Sequence, residues 1–349
     1  MKILILSSQA KNTGSTLRAF YLYKFLKKMD NEVEYITPPF KSMVFMLDFF
    51  LSFFYYFFKI LNKQYKIIII IKPYPNTVIP CLLLKPRGAK IIIDIDDLDY
   101  GYRNSFISKI IKFFQSLLIP VADFITTHNN NLMEHIIKNY PKYKEKIYLL
   151  KQCVDFTIFK PGLKTDKKLK KIYKNKKILF YMANMNIASY FEDILCALSN
   201  IKSDFVLFVV GAGPLFNHYK NVAKKMNLLQ KIVFLGECDL KTTAFYLSAA
   251  DICLVYYKNL PVNKYRASMK LREYLSMNKP VIANNVGEIS QFKDFIYMSG
   301  PSLQSFANEI KKRIKYLDKK HKKGYKFIYR YYNWDKEAKK FYEFILNCF

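Results

Sequence analysis

Apolar and polar positions along this chain fall into two successive cycles of strand, turn and helix. Residues 2–7 (KILILS) are a short apolar run, and after the turn 11–15 (KNTGS) the apolar positions Leu17, Tyr21, Phe25 and Leu26 follow helical spacing. Residues 31–36 alternate, so the chain opens with a βαβ unit. The β-branched runs 67–71 and 91–93 have the pattern of strands covered on both faces of a parallel sheet. Residues 122–128 and 146–151 give two more strands. A lysine-rich stretch poor in large apolar residues follows at 162–177, as a linker would. Strands at 178–182, 205–210, 232–235 and 251–255 then alternate with helices at 191–198 and 242–250, and the tail from 306 reads as helical. Strand–helix alternation of this kind predicts an α/β fold with parallel sheets.

Residues 43–61, MVFMLDFFLSFFYYFFKIL, break the pattern. Asp48, Ser52, Tyr55 and Lys59 recur at helical spacing and make a narrow polar stripe on a helix otherwise covered with Phe, Leu and Met. The apolar arc is wider than one sheet face can cover. Three readings fit: a buried or partner-covered helix, a helix dipping into a membrane surface, and a true span, against which Asp48 and the stripe argue. Lys41, Lys59, Lys63 and Lys66 flank it and suit anionic headgroups, each worth about 1 kcal/mol near the surface.

At 349 residues and 51% hydrophobic content the chain is long enough for two cores. A net charge of +30, nearly all lysine, predicts attraction to an anionic partner, although a composition rich in Lys and Ile throughout produces the same excess. Nucleic acid is not indicated: the lysines are dispersed, arginine is rare, and no zinc-finger, RRM or helix-turn-helix pattern occurs. The six cysteines form no C-x-x-C pair, so neither a zinc site nor a disulfide framework is expected, and a reducing cytosol fits. The opening apolar run is shorter than a signal-peptide core and reads as a first buried strand.

Candidate chemistry collects where strands end, the edge at which open α/β sheets bind ligands. Gly14 and Ser15 follow the first strand in a turn that admits close approach of a phosphate or sugar, or is simply tight. The run 94–99 (DIDDLD) offers Asp96 and Asp97 as contacts for an acceptor hydroxyl; capping of the next helix or pairing with Arg103 fits the same residues. His128 ends another strand, in a substrate-orienting or a structural role. Gly211-Ala212-Gly213-Pro214 forms a strand-to-helix turn that favours phosphate or ribose, and Gly236 ends the next strand. In 265–283 (YRASMKLREYLSMNKPVIA), Ser268 caps a helix whose apolar face is Met269, Leu271, Tyr274 and Leu275, and Asn278 ends it before a short strand at 280–283. Lys270 in the first turn adds its charge to the helix dipole and suits a diphosphate; Glu273, one turn on, suits ribose hydroxyls. Arg266, about one turn from Lys270, either faces the same phosphate or faces solvent.

The stretch 265–283 closely resembles the K-x-x-E-Y-(x)3-(G/N)-K-P-V-I-A signature of family 4 glycosyltransferases. Residues 154–161 resemble that family's V-D-x-x-x-F-x-P, with Cys153 where glycine is usual; 211–214 resemble its G-x-G-P, 250–254 its A-D-I-x-L, and 332–334 its Y-x-W. The resemblance implies the GT-B fold: two Rossmann-like parallel-sheet domains facing a cleft, residues 1–160 binding the acceptor and 161–332 the nucleotide sugar, with a C-terminal helix at 333–349 crossing back to the first domain. It further implies a retaining, metal-independent hexosyltransferase that uses a nucleotide-diphosphate sugar and no other cofactor. On that basis the donor-binding residues are Gly211, Gly213, Gly236, Arg266, Lys270 and Glu273. The acceptor-binding residues are Gly14, Ser15, Asp96, Asp97 and His128, and Lys270, Glu273 and Asp97 carry catalysis. With the 43–61 helix and the basic charge, the expectation is an enzyme at the cytoplasmic face of the membrane acting on a lipid-linked or polysaccharide-precursor acceptor. Three further positions depart from the family: Tyr265 stands where E-x7-E has its first Glu, and Asn184 and Ser189 align roughly with its usual Arg and Lys. These departures keep open a non-catalytic GT-B subunit or a GT-B nucleotide-sugar epimerase.

Overall fold

The structure is a computed structural model that describes residues 1–9, 14–30, 32–39, 45–84, 88–101, 106–163, 167–318 and 320–348. It divides into two compact units, one of Met1–Gln152, Tyr265–Ala267 and Trp334–Phe349, the other of Cys153–Lys264 and Ser268–Asn333.

The first unit is built on strands β1 (Ile3–Ser7), β2 (Val33–Ile36), β3 (Ile67–Ile71), β4 (Lys90–Ile95), β5 (Phe124–Thr127) and β6 (Ile147–Leu149). They pair in parallel in the order β2-β1-β3-β4-β5-β6. Every residue of β1 and β3 is buried, which explains why these strands read as continuous apolar runs rather than alternating ones. Helices α1 (Gly14–Leu26), α2 (Phe45–Ile60), α3 (Pro75–Leu84), α4 (Phe106–Val121) and α5 (Asn130–Asn139) make the crossovers.

The second unit follows helix α6 (Lys167–Ile172) with strands β7 (Lys177–Met182), β8 (Phe205–Val210), β9 (Ile232–Gly236), β10 (Ile252–Val255), β11 (Val281–Asn284) and β12 (Tyr297–Ser299). They form a second parallel sheet in the order β12-β11-β10-β7-β8-β9. Helices α7 (Phe191–Ser199), α8 (Phe216–Lys225), α9 (Leu240–Ala249), α10 (Met269–Ser276), α11 (Leu303–Lys315) and α12 (Gly324–Tyr331) accompany it. The last helix, α13 (Trp334–Cys348), is part of the first unit. Its buried side chains Trp334, Ala338, Phe341 and Ile345 face α1 and the β5–β6 edge, where Phe344 meets Phe124 and Tyr148 at ring separations of 4.9 and 4.3 Å.

The helix expected at 43–61 is α2; Lys41, Met43 and Val44 lie outside the described residues. Its orientation is not the one its polar stripe suggests. Ser52, Tyr56 and Ile60 are buried along one side, the Tyr56 hydroxyl donating to the Ser7 carbonyl and Ser52 to its own helix at Asp48. Leu47, Phe50, Leu51, Phe54 and Phe58 stand exposed. α3 packs beside α2 and α4 beside α3, adding exposed Ile79, Leu83, Phe106, Phe113 and Leu117, while Lys59, Lys109 and Lys112 are exposed among them. No helix among the described residues is long and apolar enough to cross a membrane.

Candidate functional site

The chain leaves β10 of the second unit, makes a short 3-10 turn over Pro261–Tyr265, and returns to that unit at Ser268 to enter α10. Ser268 caps that helix as the sequence suggests, its Oγ accepting from the Leu271 amide at 3.3 Å. At the far end Asn278 adopts a left-handed φ of 61°, closing the helix before β11. Lys270 lies in the first turn with Nζ 4.2 Å from the centre of the Tyr181 ring on β7, so its charge sits beside the end of a central strand. One turn on, Tyr274 accepts at its hydroxyl from the Met182 amide at 3.0 Å, fixing α10 to β7. Glu273 lies between these contacts and is buried. Burial pushes its carboxyl up to about 7 against the pull of Lys270, and no hydrogen bond from another described residue offsets that burial. A carboxyl buried at this place can accept from hydroxyl donors of a bound ligand.

The loops after β7 and β8 lie against one another. Met185 N donates to Ala212 O and Leu215 N to Met185 O, both at 2.9 Å, and Gly211 N reaches Gly236 O at 2.7 Å. A Cβ on Gly211 would stand 1.8 Å from Ala183 O, and one on Gly213 2.6 Å from Asn184 Oδ1 and 2.7 Å from Met185 O. The sequence suggested glycine here so that a phosphate could approach. The atoms that demand it belong to the neighbouring loop. Asn184 and Ser189 are likewise parts of that loop: Ser189 is buried, donating to Asn186 O at 2.6 Å and lying 3.1 Å from the Tyr219 hydroxyl. Gly236 has φ 70° with open space where a Cβ would be.

Arg266 precedes the Ser268 cap, so the helical spacing assumed for Arg266 and Lys270 does not hold. Arg272, an apolar-side position that sequence reasoning passed over, is fully buried and forms two parallel bonds with Glu288, Nη1 to Oε1 at 2.7 Å and Nη2 to Oε2 at 2.8 Å. Burial opposes the Arg272 charge, but Glu288 outweighs it and its pKa is raised. The available signal was an arginine at an inward helical position, which has to find a carboxylate.

In the first unit, Gly14 and Ser15 open α1, Gly14 exposed and Ser15 buried. The acidic run after β4 separates into different environments. Asp94 is in the core, held by Arg18 and by the Thr126 hydroxyl at 2.6 Å. Asp96 is buried with Lys72 Nζ 3.7 Å from Oδ1, and Lys72 itself is buried in a left-handed conformation, φ 57°. Asp97 is half-buried, and Arg103 lies outside the described residues. His128 is buried with Nε2 2.9 Å from the Tyr265 carbonyl oxygen, which also accepts from Asn129 Nδ2 at 2.9 Å. The Tyr265 ring rests against His135 at 4.4 Å, and burial lowers the His135 pKa. Tyr265, at the position of the missing carboxylate, is thus bound by its backbone and its ring.

Paired parallel sheets with this order of elements define the GT-B fold. Sucrose-phosphate synthase of Thermosynechococcus elongatus superposes with a TM-score of 0.83 over 99% of both chains at 15% identity. The Anabaena protein HepE, solved with UDP and glucose, gives 0.78 over 99% of this chain and 100% of its own at 14% identity. The chain belongs to the family described as Glycosyl transferases group 1, whose sequence profile matches residues 164–341, just over half its length. Two relatives are similar over shorter stretches. The putative teichuronic acid biosynthesis glycosyltransferase TuaH of Bacillus subtilis is 24% identical over 195 residues, 56% of this chain and 48% of that protein. The N-acetylgalactosamine-N,N'-diacetylbacillosaminyl-diphospho-undecaprenol 4-alpha-N-acetylgalactosaminyltransferase of Campylobacter jejuni is 25% identical over 134 residues, 38% of this chain and 35% of that protein. The matched stretch thus spans less than half of either relative.

Proposed function

We propose that this chain is a glycosyltransferase that moves a sugar from a nucleotide-diphosphate sugar to a lipid-linked or polysaccharide-precursor acceptor, with retention at the anomeric carbon and without a metal ion. The observation that carries the proposal is the start of α10, where Lys270 and the helix N-terminus converge beside β7 with the buried carboxyl of Glu273 one turn away. The diphosphate binds at Lys270 and the first turn, which stabilise the negative charge that grows as the sugar departs. The ribose hydroxyls donate to Glu273 and relieve its desolvation. Retention follows if the departing diphosphate oxygen takes the acceptor's proton on the face it leaves, a route that needs no protein nucleophile. Asp96 and Asp97, at the strand-end edge of the first unit, orient the acceptor hydroxyl.

The names of the two relatives, which refer to teichuronic acid and to a diphospho-undecaprenol carrier, support an acceptor of the cell envelope. The exposed apolar side chains of α2, α3 and α4, interspersed with Lys59, Lys109 and Lys112, support a peripheral position at the cytoplasmic face of the membrane.

Calorimetry of the purified protein against UDP, GDP, ADP and CMP, and against the corresponding sugar conjugates, tests the donor site. Binding of one diphosphate, lost in Lys270→Ala, is the expected result. A folded protein that binds none of them fits a non-catalytic subunit instead. Release of free sugar from donor alone, with no acceptor present, fits an epimerase-type reaction.

A further inference from the structure

We propose that Arg272 and Glu288 are positioning residues for the donor phosphate site, acting through the backbone of Ser268; the proposal rests on the assignment of the α10 start as that site. The pair is enclosed in the second unit, each side chain about 1% exposed. Besides their two mutual bonds, both hold the backbone of the same residue: Ser268 N donates to Glu288 Oε1 at 2.7 Å, and Arg272 Nη1 donates to Ser268 O at 3.0 Å. The Ser268 hydroxyl is engaged as well, accepting from Tyr257 at 3.0 Å and from the Leu271 amide at 3.3 Å. Tyr257 is clamped in turn by Asn284, whose side chain bonds its amide at 3.0 Å and its carbonyl at 2.6 Å.

A helix N-terminus recognises an anion only if its first amides point at one place. Here the direction of that turn is set by two opposite charges locked to each other, with the Arg272 guanidinium lying over the rings of Tyr332 and Phe292 at 4.6 and 5.3 Å. Such a pair is a poor way to gain stability, because apolar residues of similar volume do as well or better in a buried place. What apolar residues cannot supply is the bonding to both the amide and the carbonyl of Ser268. The pair therefore serves direction rather than cohesion.

The test compares Arg272→Met/Glu288→Leu and Glu288→Gln with the wild type and Lys270→Ala. It uses thermal melts, calorimetry with UDP, GDP, ADP and CMP, and hydrogen exchange at the Ser268 and Leu271 amides. The double variant is expected to melt near the wild type while its affinity for the bound diphosphate falls about tenfold, the size of one charged hydrogen bond, and both amides exchange faster. Glu288→Gln, which keeps the volume, carries the comparison if the double variant does not fold, and is expected to lose affinity in the same direction. A folded variant with wild-type affinity, beside a Lys270→Ala protein that has lost it, overturns the positioning role and leaves the donor site standing. A wild type that binds none of the four nucleotides overturns both.

Discussion

Arg18 on α1 grips Asp94 at the end of β4 by two parallel bonds, Nε to Oδ2 at 2.7 Å and Nη2 to Oδ1 at 2.8 Å. The same guanidinium donates to the Leu150 carbonyl at 2.7 Å and lies 5.7 Å from the Trp334 ring, so one side chain joins α1, β4, the end of β6 and α13. Removing one partner leaves the other charge buried without compensation. Asp94→Ala is expected to destabilise the first unit by roughly 3–5 kcal/mol. Trp334 is the chain's only tryptophan, so its fluorescence during urea unfolding reads that loss directly.

Glu273 makes stability and binding depend on pH in opposite senses. With its carboxyl raised from 4.5 to about 7, the folded protein holds a proton that the unfolded chain has already released between those values. The contribution of this group is therefore greatest at acid pH and declines as pH climbs through about 7. The ionised form is the better acceptor for ribose hydroxyls, so diphosphate affinity is expected to rise from pH 6 to pH 8, relative to Glu273→Gln as the control for titration of the phosphate itself. Melting curves between pH 4.5 and pH 7 should show a shallower pH dependence in Glu273→Gln.

The glycines of the second unit divide by cause. Gly211→Ala pushes a methyl group to 1.8 Å from Ala183 O, which forces the two paired loops apart. A loss of roughly 3 kcal/mol or more is expected, visible as a large drop in melting temperature. Gly236→Ala meets no atom and has only its left-handed backbone to contend with, a penalty of about 1 kcal/mol.

On the exposed side of α2, replacing Phe50, Phe54 and Phe58 with Ser is expected to release the protein from phosphatidylglycerol vesicles in a sedimentation assay. Phe106→Ser with Phe113→Ser on α4 is expected to weaken the same binding. Retention of wild-type binding by both variants would take this face out of membrane contact.

The elements were legible because local signals agreed: isoleucine runs for buried parallel strands, and a Ser268 cap, a Lys270–Glu273 turn and an Asn278 stop for α10. What escaped depends on partners distant in sequence. The inward side of α2 is settled by Tyr56 reaching Ser7, 49 residues away. His128 looked available to a substrate, yet its Nε2 lies beside a carbonyl 137 residues on. Asp94 and Asp96 are alike in the sequence, and only the placement of Arg18 and Lys72 separates a core carboxylate from one at the edge. At Gly211 the sequence reports that space is scarce and not what fills it.

The first unit draws its last helix from the end of the chain, with Trp334, Phe341 and Ile345 fully buried in it. On the ribosome, residues 1–152 therefore emerge with a core that lacks one wall, and the second unit is synthesised in full before that wall arrives. The half that carries the exposed phenylalanines is the half that waits longest to close.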